Sequence, residues 1–250
     1  MNDQGLLVVG ASRGIGLALV AEKLRSSSTT PVIATHRQPG VPEVLRRLAL
    51  IHPERLLTLP LDVTDNESID SFAQKVAGLD EEIGTVIHAA GILHEQAITP
   101  EKSLDQCAPE RLMRYFQVNS VAPLMIARAL LPLQSRKSIF TFAALSAMVG
   151  SIGDNRRGGW YGYRASKAAL NQFIRTLAIE CRMRFPKASV VALHPGTTDT
   201  CLSKPFQKNI DPEKLYSKEQ TARRLLKVLS DVDAGKSGCF LNWDGTEIPW

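Results

Sequence analysis

The apolar run Leu6–Gly10 leads straight into Gly10-Ala-Ser-Arg-Gly14-Ile-Gly16, and that G-x-x-x-G-x-G turn opens a second apolar segment, Gly14–Leu24. A strand, a glycine turn and a helix in immediate succession restrict the chain more than any other feature. Glycines there allow a tight reversal and close backbone approach, and the first turn of the following helix offers unpaired N–H groups to an anion. A glycine turn alone is an ordinary structural device. Placed after a strand and before an apolar helix, it has the context of a dinucleotide phosphate site. Gly10, Ser12, Arg13, Gly14, Ile15 and Gly16 are therefore candidate contacts to a phosphate-bearing ligand.

The alternation continues along the chain. Pro31–His36, Leu56–Leu61, Thr85–His88, Ser138–Ala144, Ser189–Leu193 and Cys239–Trp243 read as short buried strands. Between them lie amphipathic segments: Glu43–Leu50, one opened by Thr64-Asp-Asn-Glu67 with capping-box spacing, Trp160–Arg184 and Lys218–Leu229. Another follows Pro109, is expected to bend near Pro123 and stops at Pro132. Gly150–Gly159 reads as a loop. Continuous apolar strands alternating with helices predict an α/β fold of the Rossmann type, a doubly wound parallel sheet with helices on both faces. Without a repeat or a long linker, residues 1–250 are expected to form one domain, with a cofactor half to about 135 and a catalytic half from about 136.

Composition removes other classes. The formal charge is +5 over 250 residues, and the basic residues are scattered rather than gathered in a stripe with aromatics, which argues against nucleic acid. Cys107, Cys181, Cys201 and Cys239 have no metal-ligand spacing, so no metal site is expected and the thiols are read as free. Met1-Asn-Asp-Gln-Gly5 does not resemble a secretory leader, and no unbroken apolar run has the roughly 18 residues of a membrane span. A cytoplasmic protein without a membrane partner is the expectation.

The end of the second strand bears on which dinucleotide fits. An acid there binds the ribose 2′-hydroxyl of NAD. The chain instead has Thr35-His36-Arg37. A carboxylate would repel a 2′-phosphate, whereas a guanidinium grips one through its planar fork. Arg37, with Arg13 as a second cation, therefore predicts NADP(H) over NAD(H). The alternative is that Arg37 is a surface residue after a strand.

Tyr163-Arg-Ala-Ser-Lys167 lies near the start of the segment Trp160–Arg184, and a four-residue spacing puts the two side chains on one helix face. Carbonyl reduction requires a proton on oxygen as hydride reaches carbon. A nearby ammonium would lower the phenol pKa from its usual value near 10 toward that task. Such a pair also arises often by chance on a helix surface.

The glycine turn, Leu61-Asp62-Val63, Ala90-Gly91, Asn119, Ser146, Tyr163/Lys167 and Pro195-Gly196 follow one another in the order of a known family. The chain resembles the short-chain dehydrogenase/reductases over nearly its whole length. The strings 158–171, 194–200 and 243–250 resemble the branch of the C-factor and sniffer-like carbonyl reductases. The resemblance implies a hydride-transferring oxidoreductase acting on a small carbonyl or alcohol. Tyr163 would be general acid or base, Lys167 the ribose ligand that tunes it, Ser146 the partner of the substrate oxygen, and Asn119 the holder of a relay water. Asp62 and Val63 would meet the adenine, Ala90 and Gly91 would pass beneath its ribose, and Pro195, Gly196, Thr198 and Thr200 would cover the carboxamide. A homodimer or homotetramer packed through the helices of Asn119 and Tyr163 is also implied.

Taken singly, Asp62 and Asn119 also suit caps, and Pro195-Gly196 suits a turn. Two departures stand out. His88-Ala89-Ala90-Gly91 replaces the family's Asn-Asn-Ala-Gly, and Ser146 precedes Tyr163 by 17 residues, a longer spacing than is common, while Ser151 would give the common one. Ser146 is preferred because it sits at the strand end. Cys201–Ser217 reads as a lid over an apolar pocket, with Trp160 at its mouth. A cofactor-binding signalling or scaffold protein of the C-factor type remains the alternative to an enzyme.

Overall fold

The computed structural model describes residues 4–95 and 98–250, apart from the Asn209 side chain. The expectation of no leader falls partly on residues 1–3, outside that range. The main elements are β1 (Gly5–Val9), α1 (Gly14–Ser26), β2 (Val32–His36), α2 (Glu43–Ile51), β3 (Leu56–Pro60), α3 (Asn66–Ala77) and β4 (Ile83–His88). They continue with α4 (Pro109–Phe116), α5 (Ala122–Leu130), β5 (Phe140–Leu145), α6 (Tyr161–Arg184), β6 (Ala188–His194), β7 (Thr197–Thr198), β8 (Leu215–Tyr216), α7 (Lys218–Ser230) and β9 (Phe240–Asn242).

Seven strands form one parallel sheet in the order β3-β2-β1-β4-β5-β6-β9. This is the Rossmann-type α/β architecture expected from the alternation, with strand boundaries shifted by one or two residues. Because successive strand residues face opposite sides, the apolar strands feed two cores. Val86, Phe142 and Val190 pack with Phe72, Ile126 and Ile174 on the face of α3, α5 and α6. Ile87, Ala143 and Val191 pack with Leu19, Leu45 and Leu225 on the face of α1, α2 and α7. The chain reverses its direction of travel across the sheet between β1 and β4, and a crevice opens beyond the strand ends at such a switch point.

Three local features position what lies there. The helical stretch Pro109–Leu133 is continuous for 25 residues and by length and composition is apolar enough to cross a membrane; here half of its most apolar window is buried in the fold. The distortion expected at Pro123 falls one turn earlier, where Gln117–Val121 forms a π-helical turn that contains Asn119. Pro123 has no N–H to return to the carbonyl four residues before it, so the wider turn sits where the ladder is broken.

Helix α3 begins differently from the expected capping box. Asp65, not Thr64, is its cap and accepts from Glu67 N–H at 3.1 Å, while the Thr64 hydroxyl donates to Asp62 at 2.7 Å. The Thr64 hydroxyl is turned to the Asp62 carboxylate, which leaves the cap position to Asp65. A reciprocal capping box occurs instead at α7, between Ser217 and Gln220.

Helix α6 is started from outside its own sequence. Gly158, Gly159 and Trp160 have φ of +63°, +65° and +55°, a left-handed trio that stops the chain from entering the helix earlier. The buried Glu101 then accepts from Gly162 N–H through Oε2 at 3.1 Å, and its carbonyl accepts from Trp160 N–H. Gly162 is required because a Cβ there would overlap the Tyr115 ring of α4.

Candidate active site

Tyr163 and Lys167 lie one turn apart on α6, and both are buried, at 8% and 5% exposed. Lys167 Nζ donates to Leu145 O at 2.7 Å and lies 5.9 Å from the centre of the Tyr163 ring. Leu145 ends β5, so the ammonium is tied to the residue that precedes Ser146. Ser146 N–H continues the sheet by donating to Leu193 O, while its hydroxyl donates to Asn171 Oδ1 at 2.6 Å. Asn171 stands one helical turn beyond Lys167. The strand end and α6 are thus joined through both side chains.

Asn119 is held from three directions. Its Oδ1 accepts from Ile92 N–H at 2.8 Å, and its Nδ2 donates to Ile92 O and to Ser166 Oγ at 2.9 and 3.1 Å. The Ser166 hydroxyl donates to Tyr163 O at 2.8 Å. A Cβ placed on Gly91 would lie 3.3 Å from Asn119 Oδ1 and 3.6 Å from Lys167 Nζ. Gly91 is therefore the thin partition between these buried groups and the cleft that it lines.

Burial governs the protonation of this region. It pushes the Tyr163 phenol above its usual value and lowers Lys167 to about 7. The expected lowering of the phenol by the ammonium is not what the geometry produces: desolvation dominates, and the ammonium is spent on Leu145 O. Burial, with Lys167 nearby, also takes His88 down to about 3, and its Nε2 has no hydrogen-bond partner among the described residues. His88 thus closes β4 as a neutral ring.

Ser151, the alternative serine, is committed elsewhere. Its Oγ accepts from Asp154 N–H and its own N–H donates to Met148 O. Nearby, His194 Nδ1 accepts from Met148 N–H at 3.2 Å, fastening the loop after β5 to the end of β6. Burial lowers the His194 pKa to about 4, which suits that acceptor role.

In front of Gly91 lies a cleft of about 1310 Å³. Its walls include Gly10, Ser12, Arg13, Gly14, Ile15, Gly16, Arg37, Asp62, Val63, Ala90, Gly91 and Thr200, all singled out in the sequence. Pro195, Gly196 and Thr198 lie off its lining. Gly10 has φ +83°, and a Cβ on it would come within 2.8 Å of Ala90 N; a Cβ on Gly16 would overlap Gly10 O. The turn is closed so tightly that only glycine fits. Helix α1 points its first turn at the cleft with no acidic residue and no side-chain cap. Free N–H groups, a glycine cradle and a long cleft fit a dinucleotide pyrophosphate.

At the far end, Asp62 accepts from Thr64 N–H and hydroxyl at 2.9 and 2.7 Å. Burial pushes its carboxyl upward, but the Thr64 contacts, with Arg37 and Arg114, leave it below the usual range. Glu95 bonds Arg114 through Nε at 3.2 Å and Nη2 at 3.4 Å, and lies 3.9 Å from Arg37 Nη1. Neither Arg114 nor Glu95 was found from sequence. Each is an ordinary surface-type residue until the fold brings α4 and the loop after β4 to the cleft.

The segment Cys201–Ser217, expected to act as a lid, includes two short 3₁₀ helices, Lys204–Asn209 and Pro212–Lys214, between β7 and β8. Those strands pair at its base. Phe206 meets the Trp160 ring at 5.0 Å, and Trp160 meets Tyr163 at 6.1 Å, so an aromatic column runs from lid to phenol. At the base, the Arg224 guanidinium packs against both Tyr216 and Trp243, 4.0 and 4.2 Å from ring centres that themselves lie 5.2 Å apart.

The sheet order and glycine turn are those of a Rossmann-type α/β fold, and comparison gives it a family. Residues 4–211 match the short chain dehydrogenase model. The chain belongs to that family, whose members are oxidoreductases. It is 31% identical over 254 residues to the uncharacterized oxidoreductase C663.09c of Schizosaccharomyces pombe, covering 97% of this chain and 96% of that one. Among solved structures it resembles the carbonyl reductase Sniffer of Drosophila melanogaster, with a TM-score of 0.86 and 25% identity over 99% of both chains. It also resembles the NADPH-bound carbonyl reductase from chicken fatty liver, with a TM-score of 0.85 and 31% identity over 99% of both chains.

Proposed function

We propose that this protein is an NADP(H)-dependent carbonyl reductase in which Tyr163 delivers the proton. The observation that carries the reading is that Lys167, one turn after Tyr163 on α6, reaches the carbonyl next to Ser146 at the end of β5 and lies 3.6 Å from where a Cβ on Gly91, in the cleft wall, would stand. Hydride would come from a dinucleotide held in the cleft; the chain's residues do the rest. Ser146 Oγ turns from Asn171 to donate to the carbonyl oxygen, stabilising the charge that develops there. Tyr163 Oη passes its proton to that oxygen. Lys167, released from Leu145 O, would hold the nicotinamide ribose and support the phenolate that remains. Asn119 keeps the π turn open beside Lys167 for a water that returns the proton from solvent.

NADP(H) is preferred because Arg37 ends β2 where an acid would select NAD(H), and because related carbonyl reductases bind it. Thr200 lines the cleft, while Pro195, Gly196 and Thr198 support the loop that covers the carboxamide. The substrate is a small or medium carbonyl admitted beneath the lid. The signalling or scaffold alternative is not favoured, since a pure binding module has no use for a buried Tyr–Lys–Ser set. Exposed Met113, Val121, Ile179 and Met183 on the helices of Asn119 and Tyr163 support a homo-oligomer.

The test is NADPH consumption against a panel of aldehydes, ketones and quinones, with Tyr163→Phe beside it. Turnover by the wild type and not by the variant is expected. Equal turnover would remove Tyr163 as the donor. NADPH should raise the melting temperature more than NADH; the reverse order would remove the role of Arg37.

A further inference from the structure

The loop after β4 places a carboxylate next to the cation proposed for the 2′-phosphate. Glu95 stands between two arginines that line the same cleft, Arg37 from the end of β2 and Arg114 from α4. The contacts are unequal. Arg114 engages both Glu95 oxygens, at 3.2 and 3.4 Å, and the pair is largely shielded, with side chains 26% and 30% exposed. Arg37 reaches Glu95 with one nitrogen at 3.9 Å and is 62% exposed.

We infer that Glu95 and Arg114 together set the selectivity for the 2′-phosphate, by controlling how much of the Arg37 charge is left for it. The inference rests on the cofactor reading above. A carboxylate this close to Arg37 opposes a phosphate in two ways: it competes for the guanidinium and it repels the dianion directly. Arg114 limits both effects. Its two-pronged hold fixes the carboxylate and takes up both oxygens, including the Oε1 that faces Arg37, and its own charge offsets the carboxylate. Asp62, the other acid facing this end of the cleft, is already occupied by Thr64 N–H and hydroxyl, so Glu95 is the carboxylate left to compete. Arg114 is then a positioning residue, acting on the phosphate through Glu95.

Binding of two small probes isolates the effect from catalysis. Adenosine 2′,5′-bisphosphate carries the 2′-phosphate and adenosine 5′-monophosphate lacks it, so the ratio of their dissociation constants, measured by calorimetry on the full chain, reads that group alone. Glu95→Gln keeps the side-chain shape and should raise the preference for the bisphosphate about three- to tenfold, the effect of one nearby charge. Arg114→Met should lower it by a similar factor. The double variant should return to the level of Glu95→Gln, because Arg114 matters only while Glu95 is charged. An unchanged or lower preference in Glu95→Gln overturns the inference, as does a double variant that stays as poor as Arg114→Met. Arg37→Met separates the failures. If it leaves the preference intact, the Arg37 reading falls and this inference with it. If it abolishes the preference while Glu95→Gln does nothing, only the inference falls.

Discussion

Lys167 Nζ is bonded to the Leu145 carbonyl at 2.7 Å, so the ammonium is held by the strand end and not by Tyr163. That single contact offsets only part of the cost of burying a charge, and burial brings the Lys167 pKa from 10.5 to about 7. Between those values the unfolded chain binds a proton that the folded chain does not. Stability therefore rises with pH from about 7 toward 10.5, and the full penalty is present below 7. Cofactor-free Lys167→Met should melt above the wild type at pH 7, with the gap closing as the pH approaches 10. Thermal melts across that range check it, and a gap independent of pH would mean that the lysine is charged at no cost.

Ser146 and Ser151 are both buried but differ in what they are free to do. Ser146 Oγ is held by a neighbouring side chain that can let go, whereas Ser151 Oγ accepts from the backbone of its own loop. Ser146→Ala should lower kcat by about 100-fold or more, the usual cost of an oxyanion donor. Ser151→Ala should leave kcat within a fewfold of the wild type. Steady-state kinetics on any accepted carbonyl decide it, and the opposite ranking would move the role to Ser151.

Gly10→Ala should damage folding and cofactor binding together. The added methyl meets Ala90 at 2.8–2.9 Å, and φ of +83° strains any L residue. A loss of about 1–3 kcal/mol in chemical denaturation is expected, with weaker dinucleotide binding. A variant as stable as the wild type would show that the β1–α1 turn can open.

The Arg224 stack predicts a split between binding and chemistry. With Tyr216 on the lid base and Trp243 beyond β9, the guanidinium fastens one end of the lid to the body of the fold. Arg224→Ala should raise KM severalfold with a smaller change in kcat. Arg224→Lys should recover only part of it, since an ammonium has no planar face to lay against a ring. A variant that melts earlier but keeps both constants would reduce the stack to a support.

The parts of this molecule that repeat locally were legible in the sequence. Val86 and Ile87 belong to a short apolar run because the strand is covered on both sides, and the glycine turn announces itself because Gly10 and Gly16 are each excluded from being anything else. What escaped depends on distant partners. Glu101 starts a helix 60 residues later in the chain, Asn171 holds a serine from another element, and Arg114 meets Glu95 only once α4 has docked. The local error at α3 has the same origin. Thr64 and Asp65 are both good caps, and the choice falls to Asp65 because Asp62 takes the threonine hydroxyl.

The start of α6 has a consequence for how this protein can change over time. A helix turns by about 100° per residue, so beginning α6 one residue early or late would swing Tyr163 and Lys167 off the end of β5 while leaving their spacing intact. The left-handed trio Gly158–Trp160 and the distant Glu101 carboxylate act as the timing mark for that rotation. A residue gained or lost between the mark and Tyr163 would silence the enzyme while every motif in its sequence still read correctly.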